Sequence, residues 1–527
     1  MKLKTTEDYA RLSPFELKDK LMELARRCAG STGRTPLDAG RGNPDWLALD
    51  AREAFFALGQ FALGEARAGT LDRGLGSHPR APGIAARLDE WTEKEPDRSR
   101  SLRQALAVAR DHLGIEADAF VHEMALGVLG ADYPLPVRML GHVEHVVQAY
   151  LRCELGDGGP ARTPMSLFAT EGATAGISYI FQSLVANEVL HCGDRIAIGV
   201  PAFTPYLDIP RLDAFRFDEV RITASASDGW QYPDAEIDRL ADTSIRAFFL
   251  INPGNPTSVA ICGRTLGRIE NLVREARPDL IVITDDVYAT FAPGYQSLSA
   301  AVPANTITVY SFSKYFGCTG WRLGVVGIHE DNVIDRVLQR MPDAEGKRVA
   351  SRYRGISVEP ERLRFIDRMV ADSRTVALNH TAGLSGPQQV QMALFALQSL
   401  ADRGHGYKDR ARKLLLERRA ALYRTLGIDA PDEPLQAGYY ATIDLLQLAR
   451  HLHGDACAKA LRRDTHPLDL VFSLARDHAM VVLPGEGFGA PAWSVRISLA
   501  NLALDAYRKI GAAIRAEIRL RCLDGPL

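Results

Sequence analysis

The sequence is poor in cysteine, has no long apolar run and carries no excess of either charge. Its seven cysteines, at 28, 153, 192, 262, 318, 457 and 522, form no C-x-x-C pair and are odd in number. That pattern argues against a disulfide framework and against a zinc site, and the thiols are expected to be reduced. No uninterrupted apolar stretch reaches the ~20 residues of a membrane helix. The opening MKLKTTEDYARLSPFELKDK lacks the apolar core of a signal peptide. A soluble, cytoplasmic protein with no membrane partner is therefore expected. Basic and acidic side chains nearly cancel, 63 against 65, for a net charge of -2. Nothing in that balance favours nucleic acid as a partner. Internal repeats and low-complexity segments are also missing.

What remains is ordinary globular composition, 46% hydrophobic and 24% charged over 527 residues, enough for more than one folding unit. Ser13-Pro14-Phe15-Glu16 reads as a helix start, with a serine cap and proline in the first turn, and the helix is expected to reach about Cys28. Ala39-Gly40-Arg41-Gly42-Asn43-Pro44 must be loop. Residues 50–150 read as mostly helical, broken near 69–83 and at Tyr133-Pro134-Leu135-Pro136. From about 165 the texture changes. Short apolar runs at 166–169, 195–198, 247–251, 280–284 and 306–310 alternate with amphipathic segments, the pattern of a mainly parallel sheet covered on both faces. The Arg-rich stretch 405–425 reads as a long helix with a solvated basic face, and 479–484 as a late strand.

Chemistry concentrates at the ends of the apolar runs. Ser311-Phe312-Ser313-Lys314-Tyr315-Phe316-Gly317 follows one of them. A lysine held there among small and aromatic residues loses its charge readily, and a neutral amine is what imine formation with an aldehyde requires. Gly320-Trp321-Arg322-Leu323-Gly324 comes next and offers a guanidinium able to grip a phosphate bidentately. Thr284-Asp285-Asp286-Val287-Tyr288 places a carboxylate where it can pair with a protonated ring nitrogen. Ile251-Asn252-Pro253-Gly254-Asn255-Pro256-Thr257 turns the chain after a strand and offers an amide. Ala169-Thr170-Glu171-Gly172-Ala173-Thr174-Ala175-Gly176 leads from strand to helix with small residues, a form suited to phosphate at a helix N-terminus. Each motif alone is unremarkable as a turn, a cap or a surface lysine. Their order is specific.

In that order they resemble the fold-type I pyridoxal-phosphate enzymes, aspartate aminotransferase subgroup. The resemblance implies an α/β fold with a mainly parallel central sheet in a large domain and a smaller α+β domain. It implies pyridoxal 5'-phosphate as cofactor, joined to Lys314 as a Schiff base. Gly172, Ala173 and Thr174 match the phosphate turn, with Ser311 and Arg322 as further phosphate ligands. Phe203 matches the ring stacked on the cofactor, Asn255 and Tyr288 the pair that bonds its ring hydroxyl, and Asp285 the partner of its ring nitrogen. Arg496, in Ser494-Val495-Arg496-Ile497-Ser498, matches the arginine that binds the substrate α-carboxylate.

Further segments are similar to a narrower group, the bacterial L-aspartate 4-decarboxylases: 12–18, 39–44, 199–206, 371–374 and 377–385. That likeness implies β-decarboxylation of L-aspartate to L-alanine and CO2, with side aspartate aminotransferase activity and pyruvate or another 2-oxo acid as amino acceptor. It adds Arg41, Gly42 and Arg374 to the substrate residues. It assigns Tyr133 to the cofactor phosphate of a neighbouring subunit, hence a homodimer at least, and in that group a dodecamer. Asp45 stands where the group has asparagine, and 66–100 departs from its pattern. The expected division is 1–60 as an N-terminal segment of the small domain, 61–160 as a helical insertion, 161–375 as the cofactor domain and 376–527 as the small domain. No metal is expected. The rival readings are a plain aspartate or aromatic aminotransferase, a transcription regulator built on the same fold, and a scaffold without catalysis.

Overall fold

A computed structural model of the protein describes residue 9 and residues 12–69, 74–156, 164–374 and 383–523. The segment 377–382 of the decarboxylase-like motifs lies outside the described residues. Seven strands form the central sheet, in the spatial order Met165–Thr170, Gly324–His329, Thr306–Ser311, Ile281–Asp285, Ile245–Ile251, Arg195–Val200 and Asp218–Thr223. Only Gly324–His329 runs against its neighbours; the remaining pairings are parallel. The five apolar runs read from sequence all become strands. Asp218–Thr223 is an additional edge strand, and its alternating exposure explains why it does not read as a continuous apolar run. Helices Ala173–Ala186 and Phe365–Asp372 cover one face, and Gly263–Glu275 covers the other.

Around this layer the helical stretch forms as expected, from Leu49–Ala68 to Gly141–Glu154. The Gly386–Ala401 helix packs against Leu49–Ala68, Ala117–Leu129 and Gly141–Glu154 rather than standing on the sheet. The N-terminal helix spans Pro14–Thr32, four residues past its expected end, and stops where Gly33 takes a left-handed conformation (φ 70°). Tyr440–Asp444, Ser494–Ser498 and Leu483–Pro484 form a small antiparallel sheet. The single strand expected at 479–484 is two short ones. Met480–Val481 pairs with Leu37–Asp38, which ties the N-terminal segment to the C-terminal one.

Two expectations are corrected. Cys457 and Cys522 are disulfide-bonded, with Cα atoms 5.0 Å apart and a sequence separation of 65. The helices Asp455–Asp464 and Leu504–Leu523 bring them together, and no sequence spacing announces that packing. The Gly406–Leu426 helix is indeed long, but its arginines are not all solvated. Arg418 and Arg419 are buried, and Arg418 donates to Asp45 at 2.6 Å. The same helix carries Lys408, which meets Glu154 at 2.7 Å with both side chains largely buried.

Removing one member of a buried pair strands the other charge. Glu154→Ala should therefore lower unfolding free energy by ~3 kcal/mol. The double variant Glu154→Ala/Lys408→Met should recover part of that loss, as read from urea unfolding.

Candidate active site

Parallel neighbours deliver their C-terminal ends to one edge of a sheet, where α/β ligand sites form. Here that edge gathers Asn255 after Ile245–Ile251, Asp285 at the end of Ile281–Asp285, Ser311 at the end of Thr306–Ser311 and Lys314 just beyond it. A cavity of about 310 Å³ opens there. It is lined by Gly42, Ala173, Thr174, Phe203, Asn255, Asp285, Tyr288, Ser311, Lys314, Arg322 and Arg496 among the residues singled out from sequence. Gly172 caps the Ala173–Ala186 helix beside it, with φ 95° and no side-chain cap on the first N–H groups. Gly324 must approach this turn closely: a methyl group on it would lie 2.5 Å from the Gly172 carbonyl carbon.

Three residues stand elsewhere. Tyr133 is exposed, in an outer hollow with His122, Glu123 and Asp132. Arg41 is 60% exposed and reaches back to Asp38 at 3.3 Å. Arg374 is buried over the Phe168 ring, 5.5 Å from its centroid, and donates to Ser373 and to the Val137 carbonyl.

The electrostatics of the cavity are those of burial. Lys314 Nζ donates to the Gly42 carbonyl at 3.1 Å, and the same oxygen accepts from Tyr439 at 2.6 Å. Desolvation depresses the Lys314 amine below its ordinary range, helped by the charges of Arg496 and Arg322. Burial raises the Asp285 carboxyl to about 6 despite a 2.9 Å hydrogen bond from Tyr206 and another from the Val287 N–H. Its neighbour Asp286 is raised to about 7, although Tyr295, Ser297 and Thr284 all donate to it. Arg496 is 1% exposed and donates to Asn255 Oδ1 at 3.1 Å and to the Gly40 carbonyl at 2.8 Å.

The residues fit a phosphate-bearing pyridine aldehyde, as the groups left without partners indicate. Ser313 Oγ and Arg496 Nε are buried without a hydrogen-bond partner. No carboxylate lies within ion-pair distance of Arg496 among the described residues, so a buried cation awaits an anion. Arg322 holds a left-handed backbone (φ 56°) and lays its guanidinium over Gly172, donating to the Glu171 and Thr319 carbonyls at 3.1 Å each. Strain of that kind at a cavity is characteristic of ligand clamps.

Several lining residues had no role from sequence: Phe15, Asn43, Tyr206, Ser313, Thr319 and Tyr440. Tyr206 had a signal, since it follows Phe203 by three residues across a helical start and so shares its face. Tyr440 had none, because it arrives from a different sheet.

Site and fold together define the class. The aminotransferase class I and II family model matches residues 155–514, and the chain belongs to that family. It is 45% identical over 97% of its length, and 97% of the relative's, to a bifunctional aspartate aminotransferase and L-aspartate beta-decarboxylase from a Pseudomonas species. Among solved structures it is similar to a Thermus thermophilus aspartate aminotransferase variant, with a TM-score of 0.62, 17% identity and coverage of 98% of this chain and 100% of that one. It is also similar to an aromatic aminotransferase from Pyrococcus horikoshii, with a TM-score of 0.58, 18% identity and coverage of 94% and 98%. At such identities these two likenesses speak to the fold, a mostly parallel α/β architecture.

Asp286 gives a pH test of the buried acids. Its folded value, about 7, lies above the ordinary 3.8, so the folded state holds a proton that the unfolded state has lost. Its contribution to stability is full below about 4 and lost as pH rises to about 7. Asp286→Asn cannot titrate. The melting temperature of the variant minus that of the parent should therefore become more positive between pH 5 and 7.5. A difference that stays constant across that range would refute the raised value.

Proposed function

We propose that this chain is a pyridoxal 5'-phosphate-dependent aspartate 4-decarboxylase that converts L-aspartate to L-alanine and CO2 and carries aspartate aminotransferase activity beside it. The relative that matches nearly end to end has both activities in its name. In the cavity, Lys314 would hold the cofactor aldehyde and Asp285 its ring nitrogen. Asn255 and Tyr288 would face the ring hydroxyl, and Phe203 the ring face. The helix start at Gly172, Ala173 and Thr174, with Ser311 and Arg322, would hold the phosphate. When bound, the cofactor supplies an electron sink for the pair released at a substrate carbon. Arg496 binds the α-carboxylate and orients the amino acid. Lys314, whose amine is shifted toward its uncharged form by burial, takes the proton from Cα and can return it. Tyr206 holds the Asp285 carboxyl in place. Tyr133, exposed and outside this cavity, would reach the cofactor phosphate of a second copy of the chain.

The observation that carries decarboxylation over transamination alone is the supply of cations. Among the described residues, the basic side chains that line the cavity are only Lys314, Arg322 and Arg496. With these given to the amine, the phosphate and the α-carboxylate, this chain's own cavity wall keeps none for the β-carboxylate, and Arg41 and Arg374 point elsewhere. A fixed ion pair would stabilise that carboxylate and oppose its loss as neutral CO2; its absence favours the transition state.

Purified protein given aspartate and no 2-oxo acid should release alanine and CO2 over many turnovers, whereas a plain aminotransferase would stop after one equivalent of oxo acid per site. Lys314→Ala should lower both activities by about 1,000-fold while still binding the cofactor through its phosphate. Near-parental decarboxylation in that variant would overturn the assignment. Because burial keeps Asp285 protonated up to about 6, cofactor affinity of the apoprotein should increase as pH rises through that value. Asp285→Asn should flatten the increase in a spectrophotometric titration.

A further inference from the structure

Tyr440 presents a buried hydroxyl to the cavity that the cofactor and α-carboxylate roles leave unused. It is 2% exposed and sits on the strand Tyr440–Asp444, two positions from Thr442, the register partner of Arg496. Side chains of Tyr440 and Arg496 therefore share a sheet face, and the guanidinium carbon lies 4.5 Å from the tyrosine ring centroid. The Tyr440 and Tyr288 hydroxyls are 2.9 Å apart. A methyl group built on Gly42 would lie 2.7 Å from the Tyr440 oxygen and 3.2 Å from Lys314 Nζ, so both groups face one small space over Gly42. The Tyr440 N–H donates to Ser258 Oγ at 2.8 Å, which pins the strand at that point.

We propose that Tyr440 is a catalytic residue, the acid that protonates the substrate β-carbon as the β-carboxylate departs. This rests on the aspartate 4-decarboxylase reading. An amino acid with its α-carboxylate at Arg496 and its Cα at Lys314 is bracketed by the two groups between which Tyr440 stands. Lys314 is occupied with the Cα proton, so Cβ needs a second donor. In the step, the bond from Cβ to the carboxylate carbon breaks and CO2 leaves uncharged. The bonding pair stays on Cβ, and the Tyr440 O–H bond breaks as its proton joins that carbon. The phenolate then takes one proton from solvent, so each turnover consumes one proton, with no oxidation or reduction. The Arg496 cation at the ring face, 4.5 Å from its centroid, stabilises the phenolate while it exists.

The test compares the parent holoenzyme with Tyr440→Phe on aspartate, measuring alanine and oxaloacetate together. The ratio of alanine to oxaloacetate should fall by about tenfold or more. Affinity for maleate, an unreactive dicarboxylate, and affinity of the apoprotein for the cofactor should each stay within about threefold, since neither binding event transfers a proton. An unchanged product ratio overturns the proposal. So does a parallel loss of maleate affinity, cofactor affinity and both products, which would make Tyr440 a packing residue. If Tyr440→Phe does not fold, 3,5-difluorotyrosine placed at 440 keeps the shape and acidifies the phenol. The alkaline limb of alanine formation should then move down by about one pH unit or more, and an unmoved limb overturns the proposal. The two readings fail separately: a parent enzyme that makes no sustained alanine defeats the decarboxylase assignment and this proposal with it, whereas sustained alanine with an unmoved ratio defeats only the role of Tyr440.

Discussion

Burial of the Lys314 amine is the constraint on which the site depends. An ammonium enclosed by Phe203, Tyr288, Tyr440 and the glycine-rich loop at 40–43 would cost several kcal/mol to keep charged. The fold does not offset that cost with an adjacent carboxylate. Asp285 faces the same cavity, yet is itself protonated more readily than an ordinary acid, and two arginines add to the positive potential. Burial therefore favours the neutral, nucleophilic form of the amine, which is held by a hydrogen bond to the Gly42 carbonyl. Neighbouring features serve that arrangement. The sheet edge brings in Asp285, the N-terminal loop supplies the acceptor, and Tyr439 fixes that acceptor from the opposite side.

The loop at 38–46 is therefore more than a connection. Its backbone is tied to Arg496 through the Gly40 carbonyl and to Asn501 through the Asp38 carbonyl. It meets Ser498 through Ala39 and Arg418 through the Asp45 carboxylate. Asp45 thus finds a buried cationic partner in this chain. Trp46 closes the loop against the Tyr315 carbonyl, one residue from the lysine. The N-terminal segment, the C-terminal sheet and the lysine loop are stitched together at one place, so displacement of any of them would move the acceptor of the Lys314 amine.

How much of this the sequence discloses depends on how many chain segments a feature needs. Lys314 and Arg322 share one short stretch. Asn255, Asp285 and Ser311 end strands whose apolar runs are plain, so a parallel sheet makes their convergence a matter of topology. Tyr440 and the Arg496–Asn255 hydrogen bond need two sheets to meet, and no local pattern records that meeting. The buried Arg418 lies in a stretch that reads as solvated charge, because burial of a single arginine leaves the amphipathic period unchanged. The Cys457–Cys522 bond depends in the same way on the docking of two helices. Arg41 and Arg374 are legible as candidates by likeness, but their side-chain directions are set by Asp38, Ser373 and Val137 rather than by their own motifs.

On the proposed roles of Arg496 and Lys314, one fold can support both transamination and β-decarboxylation because the two share every step through removal of the Cα proton. The outcomes then diverge according to how the distal carboxylate is received. Strong cationic recognition would favour tight binding of aspartate, and would add to the barrier for losing that carboxylate as a neutral gas. The wall here has aromatic rings at Phe15, Phe203 and Tyr440 and no third arginine among the described lining residues. Such a wall gives up ground-state affinity and leaves the β-carboxylate more weakly solvated than the products that replace it. A hydroxyl beside the carbon being vacated then makes the loss irreversible by filling that carbon's valence with a proton. The same cavity that handles the Cα proton with a neutral amine can thus commit the substrate to alanine, provided that its acid and its base are different residues.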